Sequence, residues 1–60
     1  MSKKALVPIA DGTEEIEAVT IIDLLRRAGV EVTVASVSDQ AALQITAGRG
    51  TYIVADSAIE

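Results

Sequence analysis

Hydrophobic and polar positions divide the chain into short apolar runs and one long amphipathic stretch. Residues 4–10, Lys-Ala-Leu-Val-Pro-Ile-Ala, form a mostly apolar run closed by Asp11-Gly12, the pattern of a buried strand followed by a turn. Pro8 removes a ladder donor there, so it belongs at an edge or a bulge. Residues 13–28 have the spacing of a helix. Glu14, Glu15 and Glu17 fall in its first turn and Arg26 and Arg27 in its last, where the helix dipole favours each sign. Gly29 just past the end is a stop signal. Asp11 and Thr13 both qualify as the cap. Val30–Val37 alternates at first and is rich in β-branched residues, which predicts a second strand. Leu43–Ala47 and Thr51–Ala55 read as two more short strands joined as a hairpin through Gly48-Arg49-Gly50. Asp56–Glu60 carries no obvious element. The order β-α-β-β-β predicts an α/β protein with a right-handed first crossover and a partly parallel sheet.

The helix has more apolar surface than one neighbour needs. On a wheel of about 100° per residue, Leu24, Ala28, Ile21, Leu25, Ala18 and Ile22 follow one another along an arc wide enough to cover a sheet. Ile16 and Val19 lie outside that arc, interleaved with Asp23 and Arg27. The sheet is expected on the wide arc and a second subunit or domain on the other side. Glu17 falls inside the wide arc, between Leu24 and Ala28. It is either a first-turn glutamate curling into solvent or a partly desolvated carboxylate beyond the carboxyl end of the first strand. Open α/β sheets build their sites at that end. Glu14 has a similar placement but lies nearer the start of the helix, where exposure is expected.

Composition sharpens this picture. The chain has 60 residues, half of them hydrophobic, with one aromatic (Tyr52), no cysteine and no histidine. A chain this short buries only about 60% of its unfolded surface. Without disulfides or a zinc site to compensate, it is expected to be a piece of a larger domain. Nine acidic residues against five basic ones give a net charge of −4, and the bases never cluster beyond two. That argues against nucleic acid as a partner. No apolar run approaches the roughly 20 residues of a membrane span, and the start of the chain lacks the apolar segment of a signal peptide. A cytoplasmic protein with no membrane association is the expectation.

The strand-to-helix turn, Ala10-Asp11-Gly12-Thr13-Glu14-Glu15, has one glycine where a dinucleotide loop needs three, and no P-loop lysine. Its adjacent glutamates would also repel a pyrophosphate. Asp11, Glu14 and Glu17 could in principle face a Mg²⁺ ion, yet acids gather at helix N-termini for dipole reasons alone, so no metal and no cofactor is expected. Without a Ser/His or Cys/His pair, the chain cannot hold a complete nucleophilic site by itself.

The run from Lys4 through Gly12-Thr-Glu-Glu-Ile-Glu17, on through Asp23-Leu-Leu-Arg-Arg-Ala-Gly29 to Ala35, strongly resembles the ThiJ/PfpI superfamily, in its protein-deglycase branch. The likeness continues through Ile45-Thr46, Arg49-Gly50 and Ala55-Asp56. It implies a flavodoxin-like (Rossmann-like) sandwich, to which this chain supplies the first β-α-β and a following β-hairpin. Residues 1–60 would then be the N-terminal third of one ThiJ/PfpI-like domain, completed by the remaining C-terminal portion and dimerising through helix 13–28. By the same resemblance, Glu17 matches the glutamate that hydrogen-bonds a reactive cysteine outside this chain. The implied activity is cofactor-independent glyoxalase or protein deglycase chemistry on small aldehydes such as methylglyoxal and its adducts. The alternative is a cysteine-based oxidative-stress sensor or chaperone-like protein. Glu14, Arg27 and Arg49 are expected at the pocket rim near the dimer interface, with the arginines pairing to Glu14 or Glu15 and favouring anionic substrates. One departure stands out: several relatives place a second cysteine just before Ser-Arg, where this chain has Ala47 and Gly48.

Overall fold

The computed structural model describes residues 3–59; Met1, Ser2 and Glu60, part of the expected 1–60 unit, lie outside the described residues. Strand β1 (Lys4–Ile9) leads into helix α1 (Glu15–Arg27), which returns the chain to strand β2 (Glu31–Val37). Strands β3 (Gln44–Thr46) and β4 (Tyr52–Val54) follow, and then β5 (Ser57–Ile59). β1 and β2 pair in parallel, with Val7 opposite Val34, and β5 adds in parallel on the far side of β2, with Ser36 opposite Ala58. The sheet order is therefore β1-β2-β5. Pro8 sits on β1, an edge of this sheet, where its missing N–H interrupts no central ladder. The hairpin is separate: β3 and β4 pair antiparallel with Ile45 opposite Ile53.

β5 was absent from the sequence expectation. Its three residues are too few to show a period. Position makes it a strand: the amide of Asp56 donates to Val34 O at 2.8 Å, and the Asp56 carboxylate accepts from Val34 N at 2.9 Å. Asp56 thus leads the chain alongside β2. The buried Ser36 hydroxyl adds a second tie, donating to Ala42 O in the loop before β3.

Ile9, Val32 and Val34 of the sheet, Ala18 of the helix, and Ile45, Ala47 and Ala55 around the hairpin make the core. Ile22 and Leu25 pack against it from α1, as do Ala5 and Val7 from β1. The helix therefore meets the sheet through a narrower stripe than expected. Ala18 is buried and Ile22 and Leu25 are half-buried, whereas Ile21, Leu24 and Ala28, assigned to the covering arc, are exposed. The reason is that α1 packs mainly on β1 and β2, and two strands cover only one flank of a helix. Ile16 and Val19 are open as well, at 80% and 52% exposure. On the other face of the sheet, Leu6, Pro8, Thr33 and Val37 carry no covering layer. A parallel sheet is ordinarily covered on both faces. The slab here, 34 × 23 × 11 Å between Cα extremes, is two layers thick.

Candidate active site

The C-terminal end of β1 and the N-terminal end of α1 meet at residues 10–15, and the hairpin folds onto that junction. Neither expected cap is used as one. The Thr13 hydroxyl turns backward to accept from Ala10 N at 2.9 Å. The Asp11 carboxylate reaches across to accept from Thr46 N at 2.9 Å, while Gly12 N donates to Thr46 O at 2.9 Å. Glu14 occupies the cap position in extended backbone, φ −73° and ψ 105°, with no side-chain capping bond. Both residues precede the helix, but neither oxygen accepts from a first-turn amide. The hairpin, about 35 residues on, supplied the partner for Asp11.

Glu14 and Arg49 come together as expected, Oε1 to Nη1 at 3.5 Å, on the exposed side of the junction. Glu15 takes an unexpected position. One carboxylate oxygen, Oε2, is enclosed and has no hydrogen-bond partner. The Glu15 carboxyl is nonetheless held below its ordinary value of 4.5, first by its own backbone N–H and then by the Thr51 hydroxyl and by the amide and charge of Arg49, against an opposing desolvation. Only the fold brings Arg49 and Thr51 to it, so no local pattern marks this glutamate.

Glu17 lies in the first turn of α1 and is exposed. No hydrogen bond or ion pair engages its carboxylate among the described residues. The desolvation expected of Glu17 is therefore not supplied by these residues, because the neighbours on its flank of the helix, Ile21 and Leu24, are themselves uncovered. Within this chain Arg27 is engaged elsewhere. It pairs with Asp23 at 2.9 Å, four residues away on its own helix, rather than with Glu14 or Glu15. Ten helical residues separate it from Glu17, a rise of about 15 Å. Within one chain, Arg27 and Arg49 stand at opposite ends of α1.

A cleft of about 590 Å³ opens beyond the carboxyl ends of the parallel strands. Ala10 and Asp11 after β1, Ser38 and Asp39 after β2, and Gln44 and Thr46 of β3 line it. Glu17 is not among its lining residues. No group of three or more acidic, histidine or cysteine residues among the described residues is placed to hold a metal ion. The triad considered from sequence is dispersed: Asp11 binds the hairpin and Glu14 binds Arg49. No helix among the described residues is long and apolar enough to cross a membrane.

A parallel β-α-β unit with G-x-E-E-x-E at its first turn is a family pattern, and comparison with known proteins makes the assignment. The DJ-1/PfpI family profile matches residues 3–60. The chain belongs to the DJ-1/PfpI family, which is the ThiJ/PfpI resemblance established. It is 52% identical over 56 residues to the protein DJ-1 homolog B of Arabidopsis thaliana, matching 93% of this chain and 12% of that protein. The crystal structure of Drosophila melanogaster DJ-1beta superposes with a TM-score of 0.89 at 41% identity, over 97% of this chain and 30% of the other. Toxoplasma gondii DJ-1, in oxidized form, superposes at 0.86 with 55% identity, over 92% and 29%. The fold is thus the flavodoxin-like one. The chain spans less than a third of each of these relatives and matches the N-terminal part of a longer DJ-1-like protein.

Proposed function

We propose that the longer protein containing this chain is a cofactor-independent glyoxalase or deglycase acting on methylglyoxal and its adducts in the cytoplasm. A cysteine outside these 60 residues is the nucleophile and Glu17 is its proton partner. The observation that carries this reading is the placement of Glu17. It sits in the first turn of α1, just beyond the carboxyl end of β1, inside the G-x-E-E-x-E motif of a chain with DJ-1/PfpI membership.

The chemistry follows from charge. A thiolate and a carboxylate a few ångströms apart repel, so the acid beside a reactive thiolate keeps its proton. That proton becomes a hydrogen bond that stabilises the thiolate. When the sulfur attacks the aldehyde carbon, a C–S bond forms, the C=O π electrons move to oxygen, and Glu17 delivers the proton to it. The resulting carboxylate removes the proton from that carbon to give an enediol, the proton returns to the adjacent carbon to form a thioester, and water cleaves the C–S bond to release the hydroxy acid and restore the thiolate. Covering layers supplied by the rest of the domain and by a second copy through helix 13–28 would desolvate the Glu17 flank. In such a dimer, Arg27 reaches a pocket only from the partner copy, while Arg49 and Glu14 stand at the rim of their own.

A second reading has one specific support: the Toxoplasma gondii relative is described in an oxidized form. A cysteine that is oxidised rather than turning over substrate would make the protein a sensor or chaperone, with the protonated Glu17 hydrogen-bonding the oxidised sulfur. The test is turnover of methylglyoxal by the longer protein and by Glu17→Gln, beside a peroxide titration of the thiol. The enzyme reading expects a fall of about two to four orders of magnitude in the variant. No turnover in the parent, with stoichiometric thiol oxidation, selects the sensor.

A further inference from the structure

We propose that the tip of the β3–β4 hairpin is a clamp that positions Glu17, making Arg49 and Glu14 positioning residues rather than substrate contacts. This rests on the reading of Glu17 as a proton carrier. Helix α1 starts without a side-chain capping bond, so no capping side chain fixes its first turn. The hairpin instead braces the residues that lead into the helix. Gly48 N donates to Thr13 O at 2.8 Å, and Arg49 pairs with Glu14 at 3.5 Å. Below them, Thr46 accepts from Gly12 and donates to Asp11, both at 2.9 Å. Glu15 closes the set, its enclosed Oε2 packed in this junction.

These ties span residues 11–14 without a gap and stop three residues before Glu17. The first regular helical bond beyond them, Ala18 N to Glu14 O at 3.0 Å, encloses Glu17 in the same turn. The direction of the Glu17 side chain is therefore set by a turn that the hairpin holds. Gly48 shows how closely the tip is seated: a Cβ there would stand 3.1 Å from Glu14 Oε1 and 3.4 Å from Gly12 O. Because Glu14 already neutralises Arg49, the pair attracts an anionic substrate less than a free guanidinium would.

The experiment compares Arg49→Met, Glu14→Gln and the charge-swapped double variant Glu14→Arg with Arg49→Glu, all in the longer protein. All three changes are on exposed side chains. Amide exchange at Ala18 should quicken by about two- to fivefold in each single variant, the scale of an exposed ion pair, and return toward the parent in the swap. Turnover number should fall by roughly three- to thirtyfold with KM unchanged, below the 10²-fold loss of a full 1 Å misplacement. Two results would overturn the clamp. One is unchanged exchange at Ala18 in both single variants. The other is a raised KM confined to Arg49→Met with Glu14→Gln silent, which makes Arg49 a substrate contact. If Glu17→Gln keeps full turnover, the enzyme reading fails on its own, and the exchange data still decide whether the hairpin holds the turn.

Discussion

The two ends of helix α1 are closed by opposite strategies. At the C-terminal end everything needed is local. Ala28 is the cap and Gly29 follows at φ +85°, with Gly29 N bonding Arg26 O at 3.1 Å and Val30 N bonding Leu25 O at 3.0 Å. This pair of bonds is the Schellman motif, and it needs a left-handed residue at its corner. Arg26 and Arg27 in the last turn add charge of the favourable sign. The N-terminal end has no cap of its own and is held by a hairpin about 35 residues away. An end that closes on itself is stable wherever the helix forms. An end that borrows its closure is ordered only when the fold is complete, and that is the end carrying Glu17, the proposed proton carrier.

Paired substitutions, one per end, should dissociate stability from activity. Glu17→Gln removes the proposed proton carrier from an exposed position, so turnover should fall by about two to four orders of magnitude while Tm changes little. Gly29→Ala forces a Cβ into a left-handed backbone, costing about 1–2 kcal/mol, or roughly 2–8 °C in Tm for a domain of the relatives' size. Turnover should stay near the parent value. A large Tm loss in Glu17→Gln, or a large turnover loss in Gly29→Ala, would break the contrast. The exposed flank gives a test of similar size. Val19→Asp should dissociate a dimer formed through helix 13–28, because it places an unpaired charge in a desolvated contact. A variant still dimeric by sedimentation at low concentration would mean that the helix uses another flank.

The same contrast explains what was legible in the sequence. Gly29, the β-branched run of β2, and Gly48-Arg49-Gly50 between two apolar runs are local signals, and each produced its element. Membership of the β-α-β unit in a parallel sheet was equally readable, since a strand, helix and strand of these lengths have one favoured crossover. The role of Asp11 is not legible locally because capping rules count only nearby amides, and the amide that Asp11 serves belongs to Thr46; Thr13 serves a nearby amide, but that of Ala10 behind it rather than one in the helix. β5 was missed for the same reason, its pairing set by Asp56 against Val34 rather than by its own three residues. Within the chain Arg27 pairs with Asp23 at i−4, a local partner that the helical spacing offers. The exposure of Glu17 reflects a layer that no element among residues 3–59 provides.

A smaller effect should appear in the acid limb of stability. The Glu15 carboxyl sits below its ordinary value of 4.5. A depressed folded-state value means that ionised Glu15 favours the fold. That contribution is fully present above the unfolded value and is lost as the pH falls through the lower folded one. Glu15→Gln should therefore flatten the decline in Tm below about pH 4.5. An identical acid limb in parent and variant would show that Glu15 lends the N-terminal end no charge-dependent support.

The smallest expected effect is at Gly48. An added Cβ would meet Glu14 Oε1 at 3.1 Å, closer than a comfortable contact, with Gly12 O next at 3.4 Å. The nearest atom is the end of a flexible, exposed side chain, so it can retreat by a few tenths of an ångström. Gly48 also carries no left-handed backbone requirement, in contrast to Gly29 at φ +85°. Gly48→Ala should accordingly cost less than about 0.5 kcal/mol, the range of surface substitutions away from special features. It should lengthen the Glu14–Arg49 pair rather than dislodge the tip, because the bond from Gly48 N to Thr13 O is a backbone one. Thermal unfolding of Gly48→Ala beside Gly29→Ala reads the comparison directly. A larger loss at Gly48 than at Gly29 would mean that the borrowed end is the more tightly packed of the two, and that Glu14 is fixed rather than yielding.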